Sequence, residues 1–358
     1  MSVGNILRAA ASGIALLSFF LYTVYRRLYN RYSKVPKLGE RVLVLGASSG
    51  IGRSIARQYA ERGARVCVVG RREALVNEVV TECQNVRNSN EQENILGVAA
   101  DFANVDDMVR TRTIVEASKV PKSSLSQVHF IHSYYSEWKG FDTLVVAAGV
   151  SALQPLMAIA GVDADGDHTQ ATKEGIQRVA DVAAAATQGN YVGPLISAVT
   201  FVRFSTYLVT IFNMRKKKKV PMLSNTSKSP SILLINSLAS LIPAPTRTLY
   251  ASTKAASLVL YQALSIEHPK IAFTVCMPST IEGNFRASAV DAGPVRESDP
   301  NKHGLKREFV AKRCIEAIDK GEKTVFIPVI MRFGHLLYWI WPSFVEAQAM
   351  RKYNFSAS

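Results

Sequence analysis

Cysteine is scarce in this chain of 358 residues: Cys67, Cys83, Cys276 and Cys314 stand far apart, with no Cys-x-x-Cys pair among them. That excludes a disulfide scaffold and a zinc ribbon, leaves no metal site to expect, and fits a reducing compartment. Acidic residues are also in deficit, 28 against 43 basic, for a net charge of +15 at pH 7. Such a balance favours contact with something anionic, whether membrane headgroups, phosphorylated cofactors or nucleic acid, and charge alone does not choose among them. Internal repeats of roughly 20 to 50 residues are absent, which excludes a solenoid. What remains is apolar content, 48% hydrophobic against 20% charged. It suffices for a large core in one large domain or two small ones, and excludes a disordered tail.

Uncharged apolar runs long enough to matter are few. Residues 9–25 form one, rich in Leu, Ile, Phe and Ala, at the short end of the roughly 17 to 25 residues a spanning helix needs. It reads as a single N-terminal transmembrane helix. A cleaved signal peptide is the rival, but it would need a basic start and a small-residue cleavage site, whereas Arg26 and Arg27 follow the run directly. Downstream lie Arg26, Arg27, Arg31, Lys34, Lys37 and Arg41, upstream only Arg8, so the positive-inside rule expects everything after the anchor in the cytosol. The sequons at Asn225 and Asn354 point weakly to a lumenal placement, and the flanking charges outweigh them. The basic block Arg215, Lys216, Lys217, Lys218, Lys219 resembles an import signal; a solvated loop or contact with anionic lipid fits better, and a nucleic-acid partner is not expected. Near the other end, residues 325–344 are apolar and aromatic but interrupted by Pro328, Arg332, His335 and Pro342. They make a poor spanning helix. Their Trp and Tyr suit interfacial docking, since amphipathic rings prefer headgroup depth, and a strand followed by a packed helix fits as well.

Between these ends, short β-rich apolar runs alternate with stretches of helical period, the pattern of a parallel sheet covered on both faces. Strands are expected at 41–46, 65–70, 95–101, 141–147, 231–237, 271–277 and 323–328, and helices at 50–62, 72–84, 105–118, 190–212, 248–267 and 306–320. The fold class is therefore α/β, a Rossmann-type doubly wound parallel sheet of seven strands with helices on both faces, plus the N-terminal transmembrane helix. Extra loop length is expected at 119–140, 163–189 and 214–230, where polar, Gly and Pro content rises.

Directly after the first strand stands Gly46-Ala47-Ser48-Ser49-Gly50-Ile51-Gly52, leading into a helix. Small residues there let the backbone approach a pyrophosphate at the helix N-terminus. The alternative is a tight turn that needs glycine for its backbone angles. After the second strand, where a fold selective for NAD carries an acid for the ribose hydroxyl, stand Arg71 and Arg72. Guanidinium groups at that edge can pair with the 2′-phosphate of NADP(H). Asp101 closes the third strand, placed to accept a hydrogen bond from the adenine amino group, and Ala148 and Gly149 after the fourth offer close backbone approach.

The sharpest pattern follows the fifth strand: Ser237 near its end, then Tyr250 and Lys254. Positions i and i+4 share one helical face. Lys254 can reach toward the Tyr250 phenol, and its charge favours the phenolate of a group that ordinarily titrates near about 10. Ser237 could face the phenol and hydrogen-bond a substrate carbonyl. Taken singly, a Tyr and a Lys on a helix are a core edge and a solvated tip; the conjunction puts all this chemistry at the carboxyl ends of strands, where open α/β sheets bind ligands.

On these residues the chain resembles the short-chain dehydrogenase/reductase family from about residue 41 to 328. The glycine motif matches at Gly46, Gly50 and Gly52, with Leu45 where the family carries threonine; Asn-Ala-Gly appears as Ala147-Ala148-Gly149, and Pro-Gly as Pro278-Ser279. The resemblance implies that Tyr250 is the general acid in carbonyl reduction, that Lys254 positions the nicotinamide ribose and tunes the tyrosine, and that Ser237 polarises the carbonyl. It implies further that Asn190 holds a relay water near Lys254 and that Thr280 contacts the nicotinamide side. The anchor, the stretch Ser237-Leu238-Ala239-Ser240 and Ala287-Ser288-Ala289-Val290 look similar to microsomal 11β-hydroxysteroid dehydrogenases. That implies the endoplasmic reticulum membrane, a lipophilic substrate bounded by residues 281–306, and a possible homodimer. Other anchored members reduce 3-ketosphinganine or 3-ketoacyl chains, and a non-catalytic nucleotide-binding membrane scaffold is the rival of another class. The expected division is 1–40 anchor and basic flank, 41–330 NADP-binding catalytic domain, and 331–358 apolar C-terminal segment.

Overall fold

In a computed structural model of the chain, the structure describes residues 13–14, 16–24, 31–87, 94–116, 138, 140–162, 170–202, 227–296 and 299–356. Seven strands, β1 (Arg41–Leu45), β2 (Arg65–Gly70), β3 (Ile95–Ala99), β4 (Thr143–Val146), β5 (Ser231–Ile235), β6 (Ala272–Pro278) and β7 (Thr324–Ile327), form one sheet in the order β3-β2-β1-β4-β5-β6-β7. Every pairing is parallel. From β1 the chain steps outward through β2 and β3 on one side and then through β4, β5, β6 and β7 on the other, so the direction of winding reverses between β1 and β4. A crevice above that reversal is where such sheets take ligands.

Strand alternation sorts the core. In β1, Val42 and Val44 face one apolar layer and Leu43 and Leu45 the other, all four fully buried. Helices α1 (Gly50–Glu61), α2 (Glu73–Asn85) and, later in the chain, Arg307–Asp319 cover the first layer with Ile55, Tyr59, Val79 and Cys314. The second is covered by α3 (Val105–Glu116) and by helices that supply Phe201, Leu258 and Tyr261. Each such side chain contributes roughly 1.5–3 kcal/mol relative to exposure. Because both faces are buried, the strands read as continuous Val/Leu runs.

Expected and observed elements agree within a few residues except after β4. There α4 (Lys173–Thr187) occupies much of the stretch expected to be loop. Its alanine run favours helix, and Thr172 caps it by accepting from the Gly175 amide at 3.1 Å. The chain then widens into a π-helical turn, Gln188–Val192, and continues as α5 (Gly193–Phe201). The expected helix at 190–212 therefore starts much earlier, and residues 203–212 lie outside the described residues, as do the basic block 215–219 and the Asn225 sequon. Apart from two single-turn helices, Leu156–Ile159 and Pro300–His303, the helices that follow among the described residues are α6 (Thr248–Glu267), α7 (Arg307–Asp319), α8 (Gly334–Ile340) and α9 (Pro342–Lys352).

Among the described residues no helix is long and apolar enough to cross a membrane. Of the expected anchor, residues 13–14 and 16–24 are described; they are helical, with Leu16, Leu17, Phe19 and Phe20 exposed, and the rest of that run lies outside the described residues.

The amino edge of the sheet is closed by charge. Arg31 is 1% exposed and donates to the Ser229 carbonyl (2.9 Å), the Asp142 carbonyl (3.0 Å) and Thr143 Oγ1 (2.9 Å) while pairing with Glu40. Glu40 also meets Arg62, which reaches Asp319 at 3.0 Å. Beside them Arg41 grips both oxygens of Asp142, at 2.9 and 3.0 Å. Burial opposes the Asp142 carboxylate, but the Arg41 fork outweighs it and holds the carboxyl below its ordinary value. Two of the cations read from sequence as a membrane flank, Arg31 and Arg41, are thus spent inside the protein.

Candidate active site

The carboxyl edge is assembled from backbone that approaches closely and side chains that hold it there. Gly46 and Gly50 adopt positive φ, +84° and +59°. A Cβ on Gly46 would lie 2.5 Å from the Ala148 amide nitrogen, and one on Gly52 would lie 2.2 Å from the Gly46 carbonyl oxygen. The turn after β1, the start of α1 and the end of β4 are therefore nested, and glycine is the residue that permits it. Ser48 is nearly buried beneath Gly70, with Ser49 exposed at the N-cap of α1 and Ile51 half-buried behind it. Arg71 and Arg72 follow β2, both exposed. Asp101 accepts from the Ala103 amide at 3.0 Å.

On the other half of the crevice, Lys254 lies on α6, 5% exposed, and its ammonium donates to the Ile235 carbonyl at 3.1 Å. Burial pushes its pKa down to about 8. Asn236, the next residue of the chain, donates to the Lys254 carbonyl at 2.9 Å and accepts from the Ser237 amide at 2.7 Å. One side chain thus ties the end of β5 to the helix bearing Tyr250 and sets the backbone of Ser237. Ser237 accepts from the Ala239 amide and leads into the turn Leu238–Ser240, which packs against α6. The half-buried Tyr250 ring stands 6.2 Å from that of Phe285, edge to face.

Gly149 joins the halves. A Cβ there would lie 2.9 Å from Asn190 Oδ1 and 3.1 Å from Lys254 Nζ. Asn190, in the π-helical turn and fully buried, accepts from the Val150 amide at 2.9 Å and donates to the Val150 carbonyl and to Thr253 Oγ1. Its side chain thus fastens the segment after β4 to the helix Thr248–Glu267, which bears Tyr250 and Lys254. Pro278 ends β6, and Thr280 follows it, with its carbonyl accepting from the Leu305 amide at 2.9 Å.

Three residues that shape the site carried no sequence signal of their own. Besides Asn236, these are Arg247, which is nearly buried and donates to Ser151 Oγ and the Ala152 carbonyl, and Asp291, which accepts from the amides of Leu153 (2.6 Å) and Gln154 (2.8 Å). Asn236 was findable as the neighbour of Ser237. The other two act on backbone far away in sequence. None of the four cysteines competes as a nucleophile: all are buried and free, and burial pushes the Cys67 and Cys83 thiols up to about 12.

These residues fit a dinucleotide. The nested turn at Gly46, Gly50 and Gly52 would hold the pyrophosphate, Gly149 and Lys254 the nicotinamide end; when bound, such a group supplies the hydride. The protein's own part is the phenol of Tyr250, one helical turn along α6 from the buried Lys254, and the hydroxyl of Ser237 just after β5, groups of the kind able to deliver a proton to a carbonyl oxygen and to hold the developing charge.

The comparisons agree. The family model for short chain dehydrogenase matches residues 40–120. The chain is 24% identical to 11-beta-hydroxysteroid dehydrogenase-like 2 of Arabidopsis thaliana, over 92% of this chain and 86% of that protein. Among solved structures, a short chain dehydrogenase from Burkholderia cenocepacia in complex with NADP matches at 15% identity with a TM-score of 0.55, covering 88% of this chain and 98% of that one. A short chain dehydrogenase/reductase from Burkholderia phymatum in complex with NAD matches at 15% identity with a TM-score of 0.59, covering 85% and 95%. At those identities the solved structures establish the fold. Fold, constellation and matches together make the chain similar to the short-chain dehydrogenase/reductase family of oxidoreductases, with weak similarity to the 11-beta-hydroxysteroid dehydrogenase-like members.

Proposed function

We propose that the chain is an NADP(H)-dependent reductase of a ketone on a lipophilic substrate, working reversibly on the corresponding secondary alcohol, anchored in the endoplasmic reticulum membrane with its catalytic domain in the cytosol. The observation that carries the chemistry is Lys254: an enclosed ammonium, one helical turn along α6 from Tyr250, whose acceptor is the carbonyl of Ile235, two residues before Ser237. Burying a cation without a carboxylate costs stability, and such groups collect at functional sites. Tyr250 is the proton donor, Ser237 holds the carbonyl oxygen, and Asn190 keeps the catalytic helix and the segment after β4 in register.

The choice of NADP(H) rests on Arg71 and Arg72, two exposed cations directly after β2, where a fold selective for NAD carries an acid, and reduction as the physiological direction follows from that choice. The lipophilic substrate rests on the apolar N-terminal run and on the name of the plant relative. A 3-ketosphinganine or 3-ketoacyl lipid fits the same chemistry. Placement in the cytosol rests on Arg26, Arg27, Lys34 and Lys37, and a homodimer through α4 to α6 is compatible with the exposed Ile176, Val199 and Val259 on those helices.

Purified protein given NADPH and a panel of lipid ketones tests the reading. Tyr250→Phe is expected to lower turnover by about 10²- to 10⁴-fold, the share a positioned general acid supplies, with cofactor binding retained. Absence of turnover in both proteins across a broad panel would establish the scaffold instead. Replacing Arg71 and Arg72 together by Ala is expected to weaken NADPH binding by roughly 10- to 100-fold, the loss of one charge-assisted phosphate contact, with NADH little affected; equal weakening would remove both arginines from this role.

A further inference from the structure

The segment that leaves β6 is fastened at two places. At its base the Thr280 carbonyl accepts from the Leu305 amide at 2.9 Å, and the Glu282 amide donates to the Leu305 carbonyl at 3.1 Å. These bonds close the intervening chain into a loop at the carboxyl edge of the sheet. The second fastening lies at residues 290–293, where the Val290 amide donates to the Ser151 carbonyl at 2.9 Å. Asp291 then takes three amide protons on one carboxylate: Oδ2 accepts from Leu153 at 2.6 Å and Gln154 at 2.8 Å, and Oδ1 from Gly293 at 3.2 Å. The Gln154 side chain returns a bond to the Asp291 carbonyl at 2.6 Å. The two segments approach so closely that a Cβ on Gly293 would lie 2.4 Å from Gln154 Cγ. Between these contacts Ala292 is held at φ +50°. A residue with a Cβ keeps that angle where its surroundings over-determine it, and such places cluster at functional sites.

Residues 151–154 follow β4, the loop follows β6, and β5 lies between those strands. Two contacts set the link over the crevice. Phe285, on the loop, stands edge to face with Tyr250, the ring centres 6.2 Å apart. Arg247, at the N-cap of α6, donates to Ser151 Oγ at 2.9 Å and to the Ala152 carbonyl at 3.2 Å. The segment after β4 is thus gripped from one side by the start of the helix bearing Tyr250 and from the other by the loop. Little slack separates Phe285 from Asp291: a helical turn covers Phe285–Ser288, and the Ala289 amide donates to the Arg286 carbonyl at 3.2 Å. We infer that Asp291 is a positioning residue whose carboxylate latches the loop across the carboxyl end of β5 and so holds Phe285 against the proton donor, setting how much bulk beside a ketone can reach Tyr250. The latch stands on the hydrogen bonds alone; its part in catalysis rests on the reductase reading above. Phe285 then acts as a wall for the group flanking the carbonyl, and Asp291 decides how firmly that wall stands.

Asp291→Ala removes all three acceptors, whereas Asp291→Asn keeps one oxygen for Leu153 and Gln154 and turns a donor toward the Gly293 amide. Amide hydrogen exchange of the full-length protein reads the latch without any substrate. In Asp291→Ala, exchange at residues 151–154 and 285–293 is expected to speed up about tenfold or more, with Asp291→Asn intermediate and the sheet strands as in wild type. Unchanged exchange in the loop would overturn the latch, and so would faster exchange throughout the sheet, which would make Asp291 a support of the whole fold. With NADPH and a series of ketones of rising bulk beside the carbonyl, Asp291→Ala is expected to raise KM about tenfold with a much smaller change in kcat, and to narrow the discrimination between small and bulky members. Phe285→Ala should do the same, and the double variant should add little, because residues that act through one another couple. Additive effects on KM, or a loss confined to kcat, would overturn the positioning role. Faster loop exchange in Asp291→Ala, with no ketone reduced by wild type, would sink the reductase reading and leave the latch standing.

Discussion

The amino and carboxyl edges of the one sheet are built from opposite chemistry. At the amino edge Arg31, Glu40, Arg62 and Asp319 form an unbroken chain of ion pairs, and Arg41 closes on Asp142 beside them. The charges there answer one another. At the carboxyl edge Lys254 is equally enclosed, yet a backbone carbonyl receives its proton and no carboxylate pairs with it among the described residues. The polar side chains around it, Asn190 and Asn236, bond to backbone and to one another's elements. A buried cation with its counter-charge holds a fold in one arrangement; a buried cation without one lowers stability and is retained where a reaction needs it.

The contrast is broken most directly by Lys254→Met. Turnover is expected to fall by about 10³-fold or more, within the range of proton-transfer machinery, while the folded state gains. Lys254 titrates near about 8 in the folded chain, below the ordinary 10.5. Below pH 8 the folded and unfolded chains both hold the proton, and the folded one bears the whole burial cost, roughly 3 kcal/mol at most. Between about 8 and 10.5 the folded chain releases the proton first and the cost fades. The gain in melting temperature over wild type is therefore expected to be largest at pH 7 and to shrink toward pH 10; a loss of stability at pH 7 would show that the ammonium is compensated. In wild type the same titration predicts that ketone reduction declines as pH rises above about 8.

Arg31→Met probes the opposite edge and should give the opposite result. Glu40 keeps Arg62 but loses its other partner, and the carbonyls of Asp142 and Ser229 lose a donor. Removing one member of a buried ion pair costs about 3–5 kcal/mol, and with Arg62 remaining the lower figure is expected, read as a drop in denaturation midpoint. The kcat of the protein that remains folded should be unchanged. A fall in kcat with stability intact would mean that the two edges are not separate.

The same contrast explains what the sequence made legible. Continuous Val/Leu runs mark strands buried on both faces, and all seven stand within a few residues of where the pattern puts them. Tyr250 and Lys254 were legible because a helical turn fixes their spacing, and Gly46, Gly50 and Gly52 because close approach demands glycine. Arg31 was misread for a physical reason: a cation near an apolar run looks like a membrane flank until the fold brings Glu40 and the Asp142 carbonyl to it. The helix at 173–187 was missed because its glycine-rich approach masked the alanine run behind it. Arg247 and Asp291 were invisible because their partners, the Ser151 hydroxyl and the backbone of Ala152, Leu153 and Gln154, lie far from them along the chain and carry no pattern that points to them.

The smallest change that should register lies where the two halves of the crevice touch. Gly149→Ala places a methyl group 2.9 Å from Asn190 Oδ1 and 3.1 Å from Lys254 Nζ. The Asn190 amide is held by three hydrogen bonds and by the π-helical turn, whereas the lysine ends in a flexible stem with a single acceptor. Lys254 should therefore be the one to move, leaving the Ile235 carbonyl. Displacement of a catalytic group by a fraction of an ångström to about 1 Å costs up to about 10²-fold in rate, and roughly tenfold in kcat is expected here, with the denaturation midpoint nearly unchanged. A large loss of stability instead would mean that Asn190 yields and the clamp on Val150 opens, which would make the carboxyl edge as much a structural element as the ion-paired edge opposite it.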